Sequence, residues 1–213
     1  MRATWWAGMM IAAGCGTRGN AEVVTEDRTV PSFTGVSSNN AIEVELVVNP
    51  KLAGDDVALQ VEAESNLIAQ ISTEVSNDLL EVDVIENVDA TRPMRVVGSI
   101  RAFGRAAANN AARVTVSGVE TNAVVLSANN AGQISLTGTS ATVELEANNG
   151  GRIEAPDLEV GNATVDLDNA GAATICVTGA VTRSVSNGGS LTVRCGGDIS
   201  GVETRNGGSV GDR

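Results

Sequence analysis

Six asparagines recur at a near-constant interval along the second half of the chain. Asn110, Asn130, Asn149, Asn169, Asn187 and Asn206 are spaced 20, 19, 20, 18 and 19 residues apart. A pair of small residues follows each: Ala111-Ala112, Ala131-Gly132, Gly150-Gly151, Ala170-Gly171, Gly188-Gly189 and Gly207-Gly208. A fixed period of about 20 residues marks a repeat architecture, in which one unit stacks on the next. Asn and Gly accept the left-handed backbone that a tight turn needs. The repeated element therefore reads as a corner.

Two alternating runs fill each period. One follows the corner, with Val114 and Val116, Ile134 and Leu136, Ile153 and Ala155, Ala173 and Ile175, or Leu191 and Val193 as its apolar positions. The other precedes the next corner, as in Val124, Leu126 and Ala128, then Val143, Leu145 and Ala147, then Ala163, Val165 and Leu167. Thr, Ser, Glu and Asp stand between them. Alternation of this kind means half-buried strands. A single coil of such strands cannot cover its own inner face, so neighbours must cover it. A β-sandwich or a meander would tolerate irregular spacing and would not repeat the same corner residue. The expected fold is all-β, a single-stranded parallel β-helix or solenoid with coils of about 20 residues. Val124 should lie over Val143, Leu126 over Leu145 and Val116 over Leu136. The six Asn side chains, one coil height apart at about 4.8 Å, should hydrogen-bond along the stack as a ladder.

Before residue 100 the spacing loosens, but alternation continues in 42–46, 57–61 and 80–84. These read as early coils with larger turns, and 87–93 as a long loop. Composition agrees with thin aliphatic layers. The chain is 42% hydrophobic yet only 2% aromatic, with no Tyr and no His. The net charge of −12 and the single lysine, Lys51, leave no basic face for nucleic acid and none for attraction to anionic lipid.

The N-terminus carries a different signal. MRATWWAGMMIAAGC places Arg2 before a short apolar run that is too short to span a bilayer. Ile11-Ala12-Ala13-Gly14-Cys15 resembles a bacterial lipobox, which implies cleavage before Cys15 and lipidation of that cysteine. Gly16, rather than Asp, follows it, which points to the outer membrane. Residues 1–14 are thus read as a lipoprotein signal peptide, 15–28 as a polar tether and 29–213 as the β-helix domain. The membrane is the expected partner through Cys15, with the domain facing the periplasm or the cell surface.

The chemistry-bearing residues are few. Without His there is no Ser-His-Asp or Cys-His arrangement and no imidazole for zinc. Glu144, Glu146, Asp166 and Asp168 alternate outward, as a solvated face does, although a carboxylate pair for glycoside cleavage is the enzyme idea they allow. Residues 195–201, CGGDISG, have the Gly-Asp letters of a calcium loop without a nine-residue period. No cofactor or metal site is expected. Cys176 and Cys195 stand one coil apart, within disulfide reach, in a compartment that permits the bond. Their strand parity conflicts, since Cys176 falls on the outward phase and Cys195 on the inward one, so bonding requires a bulge. Arg183 falls in the inward column of Val165. An unpaired buried guanidinium is costly, so a register slip is expected between 180 and 186.

Pro31-Ser32-Phe33-Thr34-Gly35-Val36, Leu79-Leu80-Glu81-Val82, Arg92-Pro93-Met94-Arg95-Val96 and the Asn/Gly repeats together resemble the putative auto-transporter adhesin head GIN domain, a family of unknown function. The likeness covers about residues 29–210, with Asn-Asn or Asn-Gly standing where the family more often has Ser-Gly. It implies a right-handed β-helix-like fold, a cell-envelope location and no known catalytic residues. The expected function is a lipid-anchored, non-catalytic adhesive or structural module with a glycan or protein ligand. The alternatives are a polysaccharide-binding or polysaccharide-cleaving protein and a self-assembling filament. The sequence leaves the oligomeric state open.

Overall fold

A computed structural model describes residues 16–212; Cys15 and the signal segment lie outside the described residues. The fold is a parallel β-solenoid of about five turns. Its first strands are β1 (Thr17–Arg18), β2 (Val23–Pro31), β3 (Gly35–Ser38), β4 (Ile42–Val48) and β5 (Asp56–Glu64). A 3-10 turn, Ile68–Gln70, then leads to β6 (Ile71–Ser76), β7 (Leu79–Val84), β8 (Val88–Asp89), β9 (Met94–Ile100) and β10 (Arg105–Asn109). The long strands β11 (Arg113–Asn129), β12 (Gln133–Asn148) and β13 (Arg152–Leu167) each run from one corner to the next. The last coils use β14 (Ala172–Val177), β15 (Ala180–Val185), β16 (Ser190–Arg194), β17 (Asp198–Thr204) and β18 (Ser209–Asp212).

The expected columns are present. Val124 pairs with Val143, Leu126 with Leu145 and Val116 with Leu136 in the parallel ladder of β11 and β12. Ile134 pairs with Ile153, and Val143 with Ala163, one coil further on. These inward residues are almost wholly buried and form one continuous aliphatic core. Each coil covers its neighbour's inner face, so burial grows by stacking.

The corner has a defined geometry. At Asn109-Asn110-Ala111-Ala112 both central residues have positive φ, 52° and 63°, and the Ala112 amide donates to the Asn109 carbonyl at 3.1 Å. That is a type I′ turn, the type that demands left-handed residues at both central positions. The same bond recurs from Gly132 to Asn129, Gly151 to Asn148, Gly171 to Asp168, Gly189 to Ser186 and Gly208 to Arg205. In the corners at 132, 151, 171 and 208 the residue after the two left-handed ones is a glycine whose Cβ position is taken by backbone, whereas Ile42 and Ala112 hold the same place in earlier corners. A Cβ on Gly151 would lie 1.9 Å from the Ala128 carbonyl oxygen of the preceding coil.

The first hundred residues depart from plain early coils. In space the β3–β4 coil lies between the β7–β9 coil and the β10–β11 coil, although it comes first in sequence. Between these coils the chain runs antiparallel: β5 pairs β9 and β2, and β6 pairs β7. Residues 57–61 are therefore not a coil. They belong to a flange that covers the strand edges of the first coil, where unpaired backbone groups would otherwise remain. Arg28 fastens the two sheets there, donating from β2 to the carbonyls of Ile71 and Ile68. The stretch read as a tether is also structured. β1 pairs β8, and β2 pairs β5 from Val23 to Pro31.

Candidate functional site

The corner residues form a regular column along the stack. Asn130 donates its side-chain amide to Asn110 Oδ1 at 3.3 Å, and Asn149 donates to Asn130 at 3.4 Å. Asn206 donates to Asn187 at 3.0 Å. The column extends backwards to Asn40, which accepts from Asn110 at 3.5 Å across 70 residues of sequence. At Asn169 the side-chain ladder changes partner, and Asp168 receives the Asn187 amide instead. The backbone ladder does not break. The amides of Ala41, Ala111, Ala131, Gly150, Ala170 and Gly188 each donate to the carbonyl of the Asn one coil further on, at 3.0–3.2 Å.

Cys176 and Cys195 form a disulfide with a Cα–Cα separation of 5.1 Å. Strand parity alone pointed the other way, and two local distortions account for the difference. The β13–β14 register shifts between Ala155 and Glu159, and Cys176 is buried together with both neighbours. Cys195 has left β16 with φ of 70°, which redirects its side chain.

The slip expected between 180 and 186 occurs on one side of Arg183's strand only: the β15–β17 register shifts between Ala180 and Thr182. The ladder to β13 is unbroken from Val181 to Val185, and Arg183 does pair with Val165. A φ of 98° turns the side chain outward, where it reaches Glu144 at 3.5 Å and Asp166 at 3.6 Å. Local rotation places the guanidinium in solvent while the coil keeps its register toward β13. Arg183, Arg105, Glu144, Glu146 and Asp166 line a small hollow of about 240 Å³.

The carboxylates with shifted pKa values lie at three separate places, the end of β5, the corner after β13 and the start of β17. Burial of Glu64 raises its pKa, but hydrogen bonds from the Thr91 hydroxyl and the amides of Ala21, Thr91 and Arg92 outweigh it and hold the group below the ordinary glutamate value. Asp168 is lowered by Ser186 and Asn187. Asp198 is lowered by Ser200 in its own turn, which accounts for the Gly-Asp letters of 195–201. Among the described residues no group of three or more His, Cys, Asp or Glu is placed to hold a metal.

A larger concavity than the hollow at Arg183 lies at the flanged end. It is a half-open cleft of about 710 Å³. Across its floor the strands run β2, β5, β9, β4, so Asp27 stands opposite Gln60 and Gln60 opposite Val97. Val47 on β4 pairs with Ser99 on β9. Val47 and Val97 are 49% and 36% exposed, on strands whose other outward residues are mostly polar. Leu52 and Ala53 supply a wall, fixed by Arg101, which donates to the carbonyls of Leu52 and Gly54. Sequence reading missed this cleft. The available signal was the consecutive apolar run Leu46-Val47-Val48, which breaks the alternation of β4.

Residues 32–197 match the family described as the putative auto-transporter adhesin, head GIN domain. The chain belongs to this family. Similar folds occur in solved structures. One, from Parabacteroides merdae and described as a putative adhesin, has a TM-score of 0.68 at 11% identity, covering 94% of this chain and 100% of the other. A second, from Bacteroides fragilis with the same description, has a TM-score of 0.67 at 15% identity, covering 92% and 99%. A third, from Parabacteroides distasonis and described as a lipid binding protein, has a TM-score of 0.57 at 12% identity, covering 92% and 98%. No curated protein matches the chain. Family membership suggests an exported or surface protein.

Proposed function

We propose that this GIN-domain chain is a lipid-anchored, non-catalytic envelope module, held at the outer membrane through Cys15 and carrying a rigid solenoid that contacts an external ligand. One observation carries the reading. Cys176 and Cys195 bridge consecutive coils of a solenoid, and such a bond belongs to an oxidising, exported setting. The surface suits presentation better than catalysis. The lowered carboxylates Glu64, Asp168 and Asp198 are each occupied by hydrogen bonds from the chain around them, whereas an acid-base pair needs two carboxyl groups facing one substrate bond.

Metabolic labelling with a palmitate precursor tests the anchor. Wild type is expected to incorporate label and fractionate with the outer membrane, and Cys15→Ala to do neither. Equal labelling of both would remove the anchor. Glycan and matrix-protein arrays probed with the Cys15→Ala chain test adhesion. Retention of one ligand class without its cleavage is the expected result, and release of shortened glycans would support the enzyme instead.

A further inference from the structure

We infer that the cleft at the flanged end is a binding site for an organic cation with an aliphatic body, a small amphiphilic amine. The inference is independent of adhesion and rests on the order of residues across the cleft. Its apolar side is formed by Val97 on β9, Val47 on β4 and Leu52 in the adjoining loop. Its polar side is formed by Asp27 on β2 and Asp56 and Gln60 on β5, with Asp78 close by. Adjacent strands lie about 4.8 Å apart, so the change from apolar to acidic takes place within the length of one small ligand.

Charge selects the sign. The lining holds three carboxylates, Asp27, Asp56 and Asp78, and one guanidinium, Arg101, a sum of −3 + 1 = −2. Arg101 is already engaged by two backbone carbonyls. The same bonds hold the Leu52 wall in place before any ligand arrives, which lowers the ordering cost of binding. The volume of about 710 Å³ falls among small-molecule sites.

The strand pairings favour a small molecule over an extended peptide. A peptide binds a sheet chiefly through a free strand edge. On the floor, β5 is paired on both sides by β2 and β9, and β9 by β5 and β4. β4 is itself paired by β9 and β11. The free edge on this floor is the outer side of β2, which among the described residues pairs β5 alone and lies three strands from Val47, so a peptide backbone over the apolar part would find no ladder to join.

The test is a two-dimensional NMR titration of the full Cys15→Ala chain with n-decylammonium, decanoate and a Lys-Leu hexapeptide. Decylammonium is expected to shift the amides of Val47, Ala58 and Val97 saturably, and to bind at least about ten-fold more tightly than decanoate, as roughly 1.4 kcal/mol of charge preference requires. In Asp27→Asn/Asp56→Asn this preference should fall toward unity while aliphatic binding persists. Val97→Ser should weaken both ligands. Asp27, Asp56 and Val97 are exposed at the surface, and an unchanged circular dichroism spectrum confirms that the variants fold. Equal binding of amine and carboxylate overturns the proposal. So do shifts confined to residues away from the cleft, tighter binding of the peptide than of the amine, and self-association through this face.

Discussion

Asn149 occupies its corner for two physical reasons that a pair of substitutions separates. Its φ of 50° lies in the left-handed region, and its amide donates to Asn130 at 3.4 Å. Asn149→Ala loses both features. It should destabilise the chain by about 1–2 kcal/mol in urea, since left-handed backbone costs an alanine about that much and an exposed hydrogen bond adds little. Asn149→Gly keeps the backbone freedom and loses only the amide, so it should cost clearly less. Equal losses would assign the effect to the amide ladder. Glu64 makes a pH prediction at the same scale. Its folded pKa is lowered from the ordinary glutamate value, so its contribution is fully present above that value and disappears as pH falls through the folded pKa. The stability gap between wild type and Glu64→Gln should be constant from pH 6 to 8 and shrink below about pH 4. Circular dichroism must follow the unfolding, because the described residues contain no Trp. A gap that widened with acid would reverse the assignment. The corner asparagines could be read from the sequence because each repeats at one interval. Glu64 could not, because its partners Ala21, Thr91 and Arg92 lie 43, 27 and 28 residues away.

At the scale of the element, a corner tolerates little. Gly151→Ala would press a methyl group against the Ala128 carbonyl, which belongs to backbone that is itself hydrogen-bonded. Overpacking costs about 1–3 kcal/mol and occasionally more, and this atom cannot easily move, so the melting temperature should drop below that of Gly150→Ala. Nothing lies within 4 Å of a Cβ at Gly150, where the cost is conformational. The disulfide is the second element-scale device. It closes a separation of 19 residues, for which chain entropy gives roughly 3 kcal/mol. Cys176→Ala/Cys195→Ala should lose about 2–4 kcal/mol, read by denaturation with and without reductant. Wild type under reductant should match the double variant, and reductant should leave the variant itself unaffected. Regular strands such as β12 were legible from alternation alone. The cystine was legible only as a spacing, because parity counting assumes an unbroken pleat. The backbone departs from that pleat at the Ala155/Glu159 register shift and at Cys195. Arg183 shows the same limit, since one residue with φ of 98° reverses a side chain without moving the ladder to β13.

At the scale of the whole molecule, the exchanged order of the first coils sets the limit of sequence reading. Asn40 belongs to the corner column, yet it stands 70 residues from Asn110, so no period could reveal it. The flange of β2, β5 and β6 was hidden for a related reason: alternation marks a strand without giving its direction. This arrangement makes the two ends of the stack unlike. At the flanged end, β5 and β6 cover the first coil. At the other end, β17 and β18 pair on one side only among the described residues, and no residue in either is buried. In a stacked repeat each coil is held chiefly by its neighbours, and local opening follows the density of buried contacts. Amide hydrogen exchange should therefore be slowest in β11, β12 and β13 and fastest in β17 and β18. The flanged β7 and β9 should be slower than the last coil, despite their equally terminal position. Reducing the Cys176–Cys195 bond should spread fast exchange inward to β14 and β16, the strands it ties, and leave β11 unchanged. Uniform exchange along the stack, or loss of protection starting at the flange, would mean that the solenoid opens as one cooperative unit and that the antiparallel strands do not act as a cap.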